Sequence, residues 1–358
     1  MREIDNEGIR LTRRRLLGMA GLGAGAALLA ACAPAATAPS PTVAATRAAA
    51  TSAAATAAAA QVATLAPATP VPTPQRTPFS IASMKDPLID NHTHPIVPSQ
   101  GDQLKYYDGL VQLMDQNNVA FSVMHRNAQW VTPGNTFGKD HDDWIRAAMD
   151  RHPGRIFGGL GGFDPSSTDA PAYVRAQLQT GKWAFVGELD LKNPGPKTQI
   201  PINSPVMLEI AKVAAEFKVP LVYHYNVDYP SGDPQVGLRE LEDAVAKNPN
   251  TIFVNAHNPP VPLMVKYPNL WGELSLFSPQ FPHQQVLQQL SQTPATLDHL
   301  CLCVTDIQTP DLNVVAGLQT PMTYKQAADA SRSFLATLPA DVRDKIAYKN
   351  LVRLLKLQ

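Results

Sequence analysis

The 358-residue chain has little cysteine: only Cys32, Cys301 and Cys303. Three cysteines build neither a disulfide framework nor a Cys-x-x-Cys metal site. Cys301 and Cys303 lie too close along one strand to bridge comfortably and read as small apolar packing residues. The chain also lacks an excess of either charge, with 30 basic and 30 acidic residues. It therefore has no surplus of basic residues for a nucleic-acid-binding face, and no nucleic-acid partner is expected. There is no Gly-x-Gly-x-x-Gly after a first strand, no P-loop and no Gly-x-Ser-x-Gly elbow, which removes the usual dinucleotide, nucleotide and serine-hydrolase chemistries. With 44% hydrophobic and 17% charged residues, the chain can still bury one large core or two small ones.

Proline is the exception, at 33 residues, and part of that count comes from one segment. From Ala33 to about Pro78 the chain is almost only Ala, Thr, Pro and Ser. Such a stretch buries too little apolar surface to offset its ordering entropy, so residues 32–78 read as a disordered linker. Before it, Arg13-Arg14-Arg15 opens a weakly apolar, Gly-rich run from Leu16 to Ala31. That run is shorter than the roughly 20 apolar residues a permanent span needs. Arginines ahead of an apolar stretch mark an export signal, here over residues 1–31. The twin arginines resemble a Tat signal, and Leu29-Ala30-Ala31-Cys32 resembles a lipoprotein cleavage box. That resemblance implies lipidation at Cys32 and an exported protein of the cell envelope, held to the membrane by its lipid anchor alone. A plain secretory signal cut elsewhere is the alternative.

From about Phe79 the composition becomes globular, and strand-like runs alternate with helical ones. Strands are expected at Leu88–Asn91, Val119–Met124, Ile156–Leu160, Ala184–Leu189, Pro220–His224, Thr251–His257, Leu270–Ser275 and His299–Asp306. Helical periods fall at Tyr106–Asn117, Trp144–Arg151, Ala170–Gln179, Val206–Lys218, Leu238–Lys247, Val286–Leu290, Lys325–Leu338 and Val342–Leu355. Eight strands with intervening helices over residues 79–358 give an α/β chain of the (β/α)8 TIM-barrel pattern. The near-continuous apolar strands fit a sheet buried on both faces. An open doubly wound sheet is the alternative.

The informative stretch is Leu88-Ile89-Asp90-Asn91-His92-Thr93-His94-Pro95. Alternation along a strand puts Asp90, His92 and His94 on one face. The other ionisable residues fall at later strand ends: Glu188 on the fourth, His224 on the fifth, His257 on the sixth and Asp306 on the eighth. Carboxyl ends of barrel strands are where such enzymes carry their sites. Buried together, these groups must pair or hold a metal. Imidazoles with carboxylates suit zinc, or less selectively manganese or iron. His125 and Arg126 follow the second strand, as candidates for a substrate carboxylate or as ordinary rim residues. Asn226 and Asn258 follow His224 and His257 and are candidates to line the pocket. Glu273 on the seventh strand can pair with a cation.

Asp90-x-His92-x-His94, His224, His257 and Thr305-Asp306 resemble the amidohydrolase superfamily. Tyr267-Pro268-Asn269-Leu270 and Lys349-Asn350-Leu351-Val352-Arg353-Leu354 are similar to its amidohydrolase-related branch, which includes aminocarboxymuconate-semialdehyde decarboxylase-like enzymes. The resemblance implies that His92, His94, His224 and Asp306 hold a divalent metal. His257 would be a second-metal ligand or an acid/base and carbonyl-polarising residue. Glu188 stands where other members carry a bridging lysine and resembles the bridging carboxylate of TatD-like members, so one ion or two stays open, with a single zinc preferred. The implied activity is hydrolysis of a small-molecule ester, lactone or amide by metal-activated water, with Asp306 accepting the proton. Decarboxylation on the same site is the alternative, and a non-catalytic solute-binding lipoprotein is a third. The oligomeric state has no sequence signal.

Overall fold

The computed structural model describes residues 81–97, 102–126, 139–257, 259–275, 283–315 and 321–357. The export signal, Cys32, the linker and Asn258 lie outside the described residues.

The barrel begins with β1 (Leu88–Pro95), α1 (Gln103–Gln116), β2 (Val119–Met124), α2 (Lys139–Arg151), β3 (Ile156–Leu160), α3 (Ala170–Leu178) and β4 (Phe185–Asn193). It continues with β5 (Thr198–Gln199), α4 (Pro205–Phe217), β6 (Leu221–Tyr225), α5 (Pro234–Lys247), β7 (Phe253–Asn255), α6 (Val261–Lys266), β8 (Leu270–Ser275) and α7 (His283–Ser291). The last strands are β9 (Leu300–Cys303), β10 (Asp306–Gln308), β11 (Val314–Val315) and β12 (Pro321–Met322). The helices α8 (Tyr324–Leu335), α9 (Ala340–Asp344) and α10 (Asn350–Leu354) follow, with a π-helical turn at Lys345–Lys349 between the last two.

Local chemistry sets the element ends. Asp102 caps α1 by accepting from the Leu104 N–H, and Asp233 caps α5 by accepting from Gln235. Pro205 and Pro234 occupy first-turn positions whose N–H would be unbonded anyway. Thr323 and Gln326 form a reciprocal capping box on α8.

The strands pair in parallel in the order β1, β2, β3, β4, β6, β7, β8, β9. The chain leaves β9 at Cys303, passes through Val304 and Thr305, and re-forms as β10, which pairs in parallel with β1 at Thr93↔Asp306. That pairing closes a ring of parallel strands, the expected (β/α)8 barrel. Strands β1, β2, β3 and β4 are buried along their whole length, as a sheet wrapped by helices requires. Among the described residues no helix is long and apolar enough to cross a membrane.

Three expectations need correction. The eighth strand is not continuous: it breaks at Val304–Thr305, and Asp306 takes a left-handed φ of 60°. The sixth ends early at Asn255, leaving His257 outside the ladder at φ 62°. Strict alternation along β1 also fails, because its register against β2 shifts on both sides of Asp90. The hairpin strand β5, the pair β11–β12 and helix α6 were not expected from sequence; each is short, at two, two, two and six residues, below the length at which periodicity is readable.

Gly159 on β3 and Gly187 on β4 let neighbouring backbones approach closely. A Cβ at Gly159 would stand 2.0 Å from Gly187 O and 2.4 Å from His125 Nδ1. Neither neighbour is a flexible side-chain end. Gly159→Ala should therefore cost about 3 kcal/mol of stability, read as a lower urea midpoint. An unchanged midpoint would contradict this packing.

Candidate metal centre

The fold delivers the ionisable residues to one end of the ring. His92 and His94 arrive from β1, Glu188 from β4 and His224 from β6. His257 follows β7, and Asp306 opens β10. Both His257, just past β7, and Asp306, at the break where β10 starts, have left-handed φ values, a conformation uncommon for residues other than glycine and often found at functional sites.

Polar contacts show which ring nitrogens face the centre. His94 Nδ1 lies 2.6 Å from Arg126 O. A carbonyl only accepts, so Nδ1 carries the hydrogen and Nε2 points inward. His92 Nδ1 stands 2.8 Å from Glu273 Oε2 without an aligned hydrogen bond, and its Nε2 points inward. The two Nε2 atoms come within 2.9 Å of each other. Glu188 Oε2 stands 2.9 Å from His94 Nε2 and 3.4 Å from His92 Nε2. Two imidazole lone pairs and a carboxylate oxygen thus converge on one buried point, and only a cation, a proton or a metal ion, satisfies all three. Glu188 Oε1 accepts no hydrogen bond among the described residues and faces His224 Nδ1 at 3.4 Å and His257 Nε2 at 3.8 Å. Asp306 Oδ1 is 3.8 Å from His257 Nε2 and 4.0 Å from His94 Nε2. Three overlapping donor groups result: His92 with His94 and Glu188; Glu188 with His224 and His257; His92 with His257 and Asp306. The donor set fits a divalent ion bound by nitrogen and oxygen.

The electrostatics agree. The ion-pair partners of Glu188, Glu273 and Asp306 among the described residues are imidazoles, not lysine or arginine. Burial lowers the His92 pKa, but the Glu273 and Glu188 carboxylates more than reverse this and lift it well above its ordinary value. Burial raises Glu188, and His92 with the other imidazoles brings it well below the usual carboxylate range. The cluster thus attracts positive charge, and a proton on His92 supplies some of it. His257, depressed chiefly by burial to about 4, stays neutral at pH 7.

Other sequence-selected residues fall elsewhere. Asp90 does not join His92 and His94. It turns to the seam, accepting from Val304 N at 2.9 Å, Thr305 N at 3.3 Å, Thr93 Oγ1 at 2.8 Å and Thr305 Oγ1, and so anchors the backbone just before Asp306. His125 is no rim residue: fully buried, it packs against His92 with ring centroids 4.5 Å apart, and its Nδ1 lies 3.0 Å from Gly187 O. Arg126 is also buried, lies along Gly161, and its Nε makes no hydrogen bond among the described residues. Asn226 is half-buried just past β6, with its backbone N–H bonded to Lys192 O. Asn91 had not been singled out from sequence; its Nδ2 donates to Oε1 of Glu273, the strand-seven carboxylate read as able to pair with a cation, which here faces His92. A carboxylate inside the apolar run Leu270–Ser275 was the available signal.

No protein-family model matches the chain, and no curated protein matches it. Solved structures do. A dihydroxybenzoic acid decarboxylase from a Polaromonas species, with bound manganese and the inhibitor 2-nitroresorcinol, shares 14% identity at a TM-score of 0.53, over 76% of this chain and 98% of that one. A probable 2-pyrone-4,6-dicarboxylic acid hydrolase from Acinetobacter baumannii, with citric acid bound, shares 15% at 0.52, over 75% and 99%. A 4-oxalomesaconate hydratase from Rhodopseudomonas palustris shares 12% at 0.53, over 75% and 96%. At these identities the likeness shows a common fold.

The depressed His257 predicts a pH effect on the metal-stripped chain. Its folded value of about 4 lies below the ordinary 6.5. The stability it contributes is complete above pH 6.5 and is lost as pH falls towards 4, because the unfolded chain takes the proton first. In urea titrations, the stability of the chain relative to His257→Gln should fall over that window. A constant difference from pH 7.5 to 4.5 would contradict it.

Proposed function

We propose that the chain is a metal-dependent hydrolase of the amidohydrolase-related type, acting on a small-molecule ester, lactone or amide. The observation that carries this reading is the convergence of His92 Nε2, His94 Nε2 and Glu188 Oε2 on one buried point. His92, His94, His224 and Asp306 would hold one essential ion, with Glu188 among its donors. Zinc is proposed first, with manganese or iron also suited to the set. A bound divalent ion supplies Lewis acidity and makes water a better nucleophile at neutral pH.

The chain's own residues do the rest. The Asp306 carboxylate, partly open at 19% side-chain exposure, accepts the proton of the attacking water and returns it to the leaving group. Neutral His257 donates a hydrogen bond to the oxygen that gains charge. Arg126 and Asn226 orient the substrate, and Asn258 is placed with them on its sequence position.

A second reading, decarboxylation of a small carboxylic acid on the same residues, is favoured by one observation. Arg126 is buried two residues past β2, its carbonyl accepts from His94 Nδ1, its Nε has no hydrogen-bond partner among the described residues, and it can seat a carboxylate. Export by a Tat-type signal and anchoring through a lipidated Cys32 complete the proposal. They would place the enzyme outside the cytoplasm.

Metal analysis of the purified chain should find about one tightly held divalent ion, lost in a His92→Ala/His94→Ala double variant. Asp306→Asn should lower turnover by about a thousandfold while leaving the melting temperature within a few degrees. Heavy oxygen from labelled water entering the product marks hydrolysis, whereas carbon dioxide release without it marks the second reading. Absence of metal in a folded chain after zinc and manganese are added would overturn both readings and favour a solute-binding lipoprotein.

A further inference from the structure

Glu273 sits midway along β8, fully buried, with its carboxylate inside the ring. Burial pushes its charged form up in energy, and among the described residues no lysine or arginine pairs with it. Two groups hold it: Asn91 Nδ2 donates to Oε1, and His92 Nδ1 faces Oε2 at 2.8 Å. Both come from consecutive residues of β1, across the barrel interior. The register shifts of β1 around Asp90 and Thr93 are what let neighbours on one strand reach the same carboxylate. A carboxylate in this place is costly unless it does something an apolar side chain cannot.

Its geometry shows what that is. The 2.8 Å contact is not aligned as a hydrogen bond, but an imidazole whose Nδ1 faces a carboxylate favours its hydrogen on that nitrogen and leaves Nε2 unprotonated. His92 Nε2 is the atom that meets His94 Nε2 and Glu188 Oε2. His94 Nδ1 instead donates to the Arg126 carbonyl, a neutral group. We propose that Glu273, steadied by Asn91, is a positioning residue for the metal centre: it fixes the His92 tautomer and ring and adds the negative charge that raises the affinity of that nitrogen for a divalent ion. Glu273 touches neither the substrate nor the reacting atoms. This deepens the metal-centre reading and rests on it.

The test is binding of zinc or manganese alone to the full chain, by calorimetry or competition with a chelator. Glu273→Gln keeps the shape and an acceptor oxygen and removes the charge. It should weaken metal affinity by about 10- to 100-fold. The melting temperature without metal should change by no more than a few degrees, and the rise on adding metal should shrink. Nitrogen chemical shifts of His92 should show Nδ1–H in the wild-type loaded chain and a mixture of tautomers in the variant. Asn91→Ser, which leaves the Glu273 charge and removes one of its hydrogen bonds, should weaken affinity less, and it serves if Glu273→Gln does not fold. Equal affinity in wild type and whichever variant folds would overturn the positioning role while leaving the metal centre intact. A wild-type chain that binds neither ion would instead overturn the metal-centre reading, and this one with it. A variant that loses metal-free stability as much as metal affinity would make Glu273 a structural pair and nothing more, and would also overturn the proposal.

Discussion

The structure is governed by the presence of unbalanced acid inside a dry ring. Glu188, Glu273 and Asp306 lie at or below the mouth of the barrel, and imidazoles are what face them. Burying an ion costs several kcal/mol unless a partner compensates. Imidazoles compensate only when protonated, and a protonated imidazole has no lone pair left to bind a metal. Two arrangements of the cluster would be self-consistent, one holding protons and one, were a divalent ion bound, with the imidazoles neutral. Everything below serves to keep that choice dry: Leu88, Val123, Val186, Val222, Val254, Leu274 and Leu302 fill the strands with apolar bulk.

Much of this was legible in the chain because the barrel distributes its site one or two residues per strand. His92, His94, Glu188, His224, His257 and Asp306 each follow an apolar run, and the structure gathers all six. Strand and helix centres were readable for the same reason, since a parallel sheet wrapped by helices imposes two clear periods. Less legible were features that depend on pairing across long sequence separations. Nothing local says that Asp90 leaves the face of His92, because its donors are Val304 and Thr305. Nothing local says that His125 lies beneath His92, or that Asn91 and His92 reach one carboxylate 182 residues away from Asn91. The left-handed turns at His257 and Asp306 were hidden because neither is glycine, the residue that normally marks such a turn.

The centrality of Glu188 is the other lesson. From sequence it was one strand-end carboxylate among several, suited to an ion pair or to a bridging place. In the folded chain its two oxygens face different imidazole pairs, His92 with His94 and His224 with His257. Asp306 stands farther off and more open, with contacts of 3.8 and 4.0 Å. The two carboxylates thus differ in depth, Glu188 buried among four imidazoles and Asp306 at 19% side-chain exposure.

The Asp90 seam carries a consequence for how this molecule comes into being. Its hydrogen bonds to Val304 and Thr305 join residues 214 and 215 positions apart, and loops of that length close late because their entropy must be overcome before the contact rewards it. Asp306 follows directly on that clamp, while His92 and His94 lie just beyond Asp90 on the opposite bank. The centre cannot exist in a half-built ring: the contact that completes the circle also brings the first strand's imidazoles to the last strand's carboxylate. A chain emerging from synthesis would be chemically blank until nearly its whole barrel had been made, and an ion that prefers the finished cluster would act as a latch on ring closure.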